Sequence, residues 1–482
     1  MSNLIRPIAG VLSALLVVSL LGCSSRPKEE VLEVAVFQGG YGIDFFERKA
    51  REFEQKFPEK LTPEGASAPL KIKLWGSPRV WEQLRPRFVQ GDVPDLTWPG
   101  WGMDYWKLVS EKQVLPMDEF LAGKAWDQDK PWRDTFNKDL LDKGRCEGKY
   151  YIIPHNNNLF SWWYNSAMFK KQGWTPPRTY PELLALCEKI KKTGIEPITY
   201  QGKYPDYALR GFFYPWAISI GGIEAYWDAQ DLKPGAWTGP AFLKAAEMIA
   251  ELRDKGYFAK GALGKTHTQA QSDFVAGKAA FIPCGTWLAS EQKDEIAAHP
   301  EFSMDFMLTP VVPGGKGDPT ALNTGTEDWI ITAGAKHPEI AAEFFKFLTS
   351  LENSKEWVKE KQTFTCIEGS EKVELPKHLA TAAKLYGQSS LIYTSQASQW
   401  YPALKDGMED AMRRRLLHQL AELFRRDIAD QPAEHCVFHP VLDVRVPLRC
   451  LTRVNHDPLP VKLCGGGNVL RKLPFLAGLA AG

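Results

Sequence analysis

Short apolar strands alternate with amphipathic helices between residues 33 and 98, and this limits the fold more than any other feature. Glu33-Val-Ala-Val-Phe37 reads as a strand. Phe46, Ala50, Phe53 and Phe57 then recur at helical spacing, with Asp44 and Glu47 placed as a capping box and Pro58 ending the run. Lys71-Ile-Lys-Leu-Trp75 is an alternating strand. Trp81, Leu84 and Phe88 mark a helix to Gly91 that Pro86 argues against, and Asp95-Leu-Thr-Trp98 is a third strand. Strand, helix, strand, helix, strand predicts a parallel sheet covered by helices, an α/β fold. Further helices are predicted after the Thr179-x-x-Glu182 capping box, over Phe242 to Leu252, and over Ile340 to Leu348. No internal repeat of 20–50 residues is found.

Ligands of open α/β sheets bind outside the carboxyl ends of the strands. The loops there carry Gly39-Gly40-Tyr41, Trp75 and Trp98-Pro-Gly-Trp101. The chain holds 17 Trp, 15 Tyr and 25 Phe, 12% aromatic, so more loops deserve the same reading. A sugar ring has an apolar C–H face and a rim of hydroxyls, and Trp and Tyr offer both a flat apolar surface and a polar tip. Asn156-Asn-Asn158 before Phe160-Ser-Trp-Trp163, Tyr204-Pro-Asp-Tyr207, Gly285-Thr-Trp287, Thr326-Glu-Asp-Trp329 and Gln399-Trp-Tyr401 share that mixture. Any single Trp is more often core than platform. Trp287 and Trp101 have Gly neighbours that place them in turns.

Other functions find little support. There are 59 Lys and Arg against 58 Asp and Glu, so no long-range field draws nucleic acid or an acidic membrane. No GxGxxG, P-loop, HExxH or GxSxG occurs. No cofactor, no metal and no catalytic residue is expected. His267 lies in a polar stretch and reads as exposed. The cysteines form no CxxC, and those of the body read as small buried hydrophobes.

The start of the chain reads as an export signal. Arg6 precedes an uncharged stretch whose apolar run, Val11 to Leu21, is too short to span a bilayer. It ends at Leu20-Leu-Gly-Cys23, which resembles the bacterial lipobox. That resemblance implies removal of residues 1–22, lipidation of Cys23 and a polar tether over 23–32.

Further motifs follow in a familiar order. Gln90-Gly-Asp-Val-Pro-Asp95, Gly148-Lys-Tyr-Tyr-Ile-Ile-Pro154 with Trp163-Tyr-Asn165, Pro177-Arg-Thr-Tyr-Pro-Glu182, and Phe274-x-x-Gly277-Lys-Ala-Ala-Phe281 with Gly285-Thr-Trp287 stand in sequence. Residues 31 to about 412 resemble an extracellular solute-binding protein, family 1, of a carbohydrate ABC importer. Within that class Gly39-Gly-Tyr-Gly42, Leu84-Arg-Pro-Arg-Phe88, Tyr200-Gln-Gly-Lys-Tyr-Pro205 and Ile282-Pro-Cys-Gly-Thr-Trp287 are most similar to the N-acetylglucosamine and diacetylchitobiose-binding lipoproteins.

The resemblance implies a two-lobed periplasmic-binding-protein-like fold of type II, with a hinge and a ligand cleft. Lobe 1 would comprise 33–155 and 308–350, and lobe 2 would comprise 156–307 and 351–428. It places Gln38 and Tyr41 on the first ligand loop and Trp98, Trp101 and Asp104 on the next. Asn157 and Asn158 fall at the lobe crossing, Tyr204 and Tyr207 on the second lobe's aromatic loop, and Trp287 and Trp400 at stacking positions. It further implies a carbohydrate ligand captured by hinge closure and ABC permease subunits as partners. The protein would be a monomer held at the outer face of a bacterial membrane by its N-terminal lipid alone. The alternative is a lipid-anchored secreted glycan hydrolase that adds a carboxylate pair to the same aromatic cleft.

Residues 429–482 depart from the pattern and lack clear periodicity. A reading-frame change, a loosely held or disordered tail, and a metal site drawing on His435, Cys436, His439, Cys450, His456 or Cys464 all fit that stretch. The spacings match no closed zinc pattern.

Overall fold

The structure is a computed structural model that describes residues 30–56, 70–100, 102–395, 402–416, 436–438 and 445–447. The signal, Cys23, most of the tether, Trp101, Trp400 and most of the tail lie outside them. Within the tail, Cys436–Phe438 pairs antiparallel with Arg445–Pro447.

The first strand, β1 (Glu30–Phe37), starts before Glu33, so residues 30–32 belong to the strand rather than to the expected tether. Its partners explain the early start: it pairs in parallel along its whole length with β2 (Leu70–Ser77), from Glu30 opposite Leu70 onward. On its other side lies β3 (Leu96–Trp98), also parallel. Helix α1 (Asp44–Lys56) buries Phe45, Phe46, Ala50 and Phe53. The expected Asp44–Glu47 capping box gives way to another arrangement. Asp44 is inside the first turn, and Lys361 Nζ donates to both its oxygens at 2.9 Å. Helix α2 (Val80–Gln90) runs through Pro86. Val80, Leu84 and Phe88 anchor its buried face, and Gly91, at φ 73°, closes it in the left-handed conformation.

Two long strands link this part to the rest. They are β4 (Ile153–Asn165) and, after β5 (Glu196–Ile198), β6 (Ala279–Gly285) and β7 (Met304–Met307), β8 (Leu322–Ile331). The ten-stranded sheet has the order β2-β1-β3-β8-β4-β6-β5. β7 and β9 (Phe364–Thr365) also pair with β4, and β10 (Ile392–Tyr393) pairs with β8. The antiparallel β4–β8 ladder passes from one core to another. Ile153, Trp329 and Ile331 pack in a core with Phe46, Trp98 and Phe344. Trp162 packs with Ile190, Phe212 and Phe242 in a second, and Leu159, Trp163 and Leu322 pack beside that one.

The crossings therefore fall inside strands, and two expected boundaries shift. Residues 308–322 belong with the second core. Trp216 Nε1 donates to the Pro310 carbonyl at 3.0 Å, and Tyr180 N donates to the Val311 carbonyl at 2.8 Å. The chain beyond 350 returns to the first core before leaving it, because Trp357, Cys366 and Ile367 are buried there. Cys187, Cys284 and Cys366 are buried free thiols, whereas Cys146 is disulfide-bonded rather than a free buried hydrophobe. Among the described residues no helix is long and apolar enough to cross a membrane.

Candidate ligand-binding cleft

Midway along the β4–β8 ladder the apolar pattern breaks. Asn156, Asn157, Asn158, Thr324 and Glu327 are buried where the strands pass between cores. Buried polar groups persist only when bonded, and most of these are. Asn158 Nδ2 donates to Glu327 Oε1 at 2.8 Å, and Asn158 Oδ1 accepts from Tyr41 Oη at 2.5 Å and from Thr363 Oγ1 at 3.3 Å. Thr363 shares a 2.7 Å hydroxyl contact with Thr286, and Thr324 donates to Asn157. Two predicted residues, Tyr41 and Asn158, thus meet across 117 positions of sequence. Burial pushes the Glu327 carboxyl up to about 8, aided by the neighbouring Asp328, whose own value rises to about 6 for the same reason. Glu327 is therefore largely protonated at neutral pH, and a protonated carboxyl has a proton to donate.

Thr286 leads directly to the aromatic wall. Trp287 packs against both the first core and the core around Leu159. Its ring stands 5.9 Å from Phe160 and 6.2 Å from Tyr207, centroid to centroid. Arg210 approaches from beneath, 4.2 Å from the Phe160 centroid and 6.0 Å from that of Trp287. Its Nε donates to Asn323 Oδ1 at 2.9 Å. Trp287 is placed by Gly285, where a Cβ would fall 2.0 Å from the indole Cζ3.

A cavity of about 610 Å³ opens between α2, α3 (Tyr105–Ser110) and the helix Pro402–Leu416. Its lining includes Trp81, Arg85, Asp104, Lys107, Lys405 and Asp406. Lys405 and Asp406 belong to a helix whose Met408 and Met412 pack in the second core, whereas Phe88, Met103 and Leu108 belong to a separate cluster with Val80 and Trp106. Asp104 caps α3, accepting from Lys107 N at 3.0 Å, and burial raises its pKa.

The remaining expected residues divide. Gln38 is exposed on the loop after β1. Asn157 is buried in the ladder. Tyr204, 44% exposed, stands apart from Trp287 with its ring 5.2 Å from that of His267. His267 is half-buried rather than exposed, and Glu291 Oε1, 3.1 Å away, raises its pKa. Trp98 lies in β3 and is buried rather than open on a loop, and its side chain bonds to the Glu327 carboxyl. It is 2% exposed, stacked at 6.2 Å on Trp329 and edge-on to Phe37. The cause is that β3 is flanked on both sides by β1 and β8, and all three of its residues face cores.

Sequence reading singled out neither Arg210 nor Trp81 as a site residue, and it named Glu327 only within its segment, Thr326 to Trp329. Arg210 had a signal: a lone cation in the apolar run Leu209 to Trp216, on a turn that proves π-helical. Trp81 had none, since its spacing to Leu84 and Phe88 is that of a core face.

Residues 71–355, more than half of the chain, match the family described as bacterial extracellular solute-binding protein. The chain belongs to this family. It is accordingly an exported binding protein. It is 25% identical over 346 residues to the diacetylchitobiose binding protein NgcE of Streptomyces coelicolor, covering 70% of each chain. It is 25% identical over 356 residues to the multiple sugar-binding protein of Streptococcus mutans, covering 71% of this chain and 77% of that one. Among solved structures, a chitin oligosaccharide binding protein superposes with TM-score 0.69 at 19% identity, over 84% of this chain and 98% of the other. The raffinose complex of the solute-binding protein RafE superposes with TM-score 0.65 at 20% identity, over 82% and 97%. The α/β fold of the solute-binding protein is thus that of known sugar-binding structures.

Proposed function

We propose that this solute-binding protein is the sugar-capturing lipoprotein of an ABC importer, with N-acetylglucosamine or a chito-oligosaccharide as its ligand. The observation that carries this reading is the convergence of Trp287, Tyr207 and Phe160 beside the buried Tyr41–Asn158–Glu327 network, with elements of both cores contributing. The indole covers a sugar face while hydroxyls and amides bond its rim. The names of the Streptomyces coelicolor and chitin oligosaccharide relatives favour an acetamido sugar. The two cores act as lobes that close by hinge motion on the bound sugar, and the ligand favours closure by the contacts it gains there. The closed surface docks on membrane permease subunits. Lipidated Cys23 tethers the monomer to the outer face of the membrane.

Nothing specific favours the hydrolase alternative. Two buried carboxyls of the crossing whose pKa burial raises, Glu327 and Asp328, are strand neighbours. Glu327 turns to Asn158, while Asp328 feels the cation of Lys143. They do not flank one glycosidic bond as a hydrolase pair does.

Tryptophan fluorescence of the purified protein, titrated with a broad panel of mono- and oligosaccharides, tests the proposal. A saturable change with chito-oligosaccharides, which are recovered uncleaved, is the expected result. No response to any sugar overturns it.

A further inference from the structure

The loop after β1 and the short helix Leu288–Glu291 belong to different cores, and one carboxylate lies between them. Tyr41 of the loop is buried in the first core, while Leu288 and Ala289 of the helix are buried in the core around Leu159. A Cβ on Gly40 would stand 3.1 Å from Glu291 Cδ and 3.2 Å from its Oε1, so any side chain there would press on the carboxylate. Farther along, Lys293 acts electrostatically on Asp44 of α1 across the same seam.

The Glu291 side chain is 9% exposed. A carboxylate so covered needs donors and a compensating charge, and both come from the helix His267–Val275. Gln271 Nε2 donates to Glu291 Oε2 at 2.8 Å, and His267 Nε2 lies 3.1 Å from Oε1. His267 opens its helix, where the unpaired backbone N–H groups disfavour a cation, so its proton depends on Glu291. The bond to Glu291 raises the His267 pKa against the cost of half-burial. Around the pair, Tyr204 faces the imidazole. Tyr41, Tyr207 and Cys284, which burial keeps protonated, lie in the field of Glu291. Lys265 and Asp273, before and within the same helix, pair with each other.

The pair has two states. When protonated, the imidazolium balances Glu291, and the carboxylate can stay covered by Gly40. When neutral, it leaves a net negative charge in the seam, and parting the loop from the helix returns that charge to water.

We propose that His267 and Glu291 form a proton-controlled latch, which holds the Gly40 loop against the helix Leu288–Glu291 in acid and releases it as pH rises. This rests on the reading of the two cores as lobes that close. Covered by Gly40, the pair holds its proton more tightly than when water reaches it. The latch is therefore complete below pH 6.5 and is lost as pH rises through the raised value. Sugar capture takes on the same dependence, because closure is part of binding.

Small-angle X-ray scattering of the sugar-free full chain at pH 5.5 and pH 8 tests the latch without a ligand. The parent should be more compact at pH 5.5, and His267→Gln and Glu291→Gln should each lose that difference. Glu291→Gln keeps the shape of its side chain, and His267→Gln changes a half-exposed group, so both should fold. One size at both pH values in the parent, or the parent's change in both variants, overturns the latch and spares the sugar-binding reading. Calorimetric titration with chito-, xylo- and malto-oligosaccharides at the same two pH values then reads capture. From pH 5.5 to pH 8 the parent's Kd should rise about 3- to 10-fold more than that of His267→Gln. Equal rises overturn the coupling of the latch to capture. A parent that changes size as expected yet binds nothing in the panel overturns the sugar-binding reading and supports the latch.

Discussion

Gly285 is the position where one methyl group should disable the site. An alanine Cβ would sit 2.0, 2.3 and 2.4 Å from Cζ3, Cε3 and Cη2 of Trp287. Carbon atoms settle at about 3.5–4.0 Å, so the ring must retreat by about 1.5 Å or tilt away. It would then leave its contacts with Phe160, Tyr207 and Arg210. Each aromatic contact is worth about 0.5–1.5 kcal/mol and the cation contact about 0.5–1 kcal/mol. With partial relaxation, Gly285→Ala should destabilise the fold by about 1–3 kcal/mol, as overpacking usually does. A displaced stacking platform should also weaken sugar binding by about 1–2 kcal/mol, or roughly 5- to 30-fold in Kd. Trp287→Ala removes the platform without the clash, so it should lose affinity to a similar or greater degree. Calorimetry gives the affinities, and near-ultraviolet circular dichroism reports the indole's surroundings. A Gly285→Ala protein with the parent's aromatic spectrum, melting temperature and Kd would refute the reasoning, because the ring would then have room that the geometry denies it.

Other predictions concern the crossing and the anchor. Asn158→Ala strips Tyr41 of its acceptor and Glu327 of its donor, and should lower stability by about 2–4 kcal/mol in urea unfolding; a change under about 0.5 kcal/mol counts against the network. Glu327 has a folded pKa of about 8, above the ordinary carboxyl value, so the folded state holds a proton that the unfolded state releases. Its contribution is complete below the unfolded value and is lost as pH rises toward 8, at up to about 1.4 kcal/mol per pH unit. His155 and His378, depressed to about 4 by burial, work in the opposite direction only below their unfolded value of 6.5. Between pH 6.5 and 8 the parent should therefore lose melting temperature faster than Glu327→Gln; equal slopes would show that Glu327 does not carry this proton. Cys23→Ser should move the protein from the membrane fraction to the soluble exported fraction, and continued pelleting with membranes would exclude the anchor at Cys23.

Much of the architecture was legible because a buried parallel sheet writes itself as apolar runs. β1, β2 and β3 could be read within a few residues, and the helix Tyr180–Lys192 was announced by a capping box that forms as expected. What could not be read is set by partners far away in sequence. A Trp at the end of a strand looks the same whether it points into a loop or into a core. Trp98 went inward because β8, more than 220 residues later in the chain, lies against β3. The lobe boundaries missed for a related reason. The chain changes cores in mid-strand, where hydrophobic periodicity continues without a break. Tyr41, Asn158 and Trp287 were singled out because the loop after β1, the triple Asn and the Gly-Thr-Trp turn each mix aromatic and polar groups. Trp81 hid in a helix face whose spacing is indistinguishable from packing. The Gly-Asp-Val-Pro-Asp95 stretch has a structural purpose: Asp95 is buried and accepts from the backbone N–H groups of Glu33, Lys336 and His337, which ties β1 to the start of the helix Pro338–Leu348.

The polar character of the crossing bears on why the site sits there. An apolar seam between two cores would resist parting, since every square ångström exposed costs about 25 cal/mol. The Asn158–Tyr41–Glu327–Thr363 seam differs, because water can replace each of its bonds at small net cost. The flanking apolar residues, Ile153 and Trp329 on one side and Leu159 and Leu322 on the other, are buried inside their own cores. The proposed hinge closure would fall in the middle of the β4–β8 ladder, where the register shifts between Glu327 and Asp328. A sugar that enters this seam offers hydroxyls in place of water. On the proposed reading it would take over bonds that link the two halves without forcing either core to repack. On the proposed function, the same residues that make the crossing inexpensive to open would make closure depend on a hydroxylated ligand.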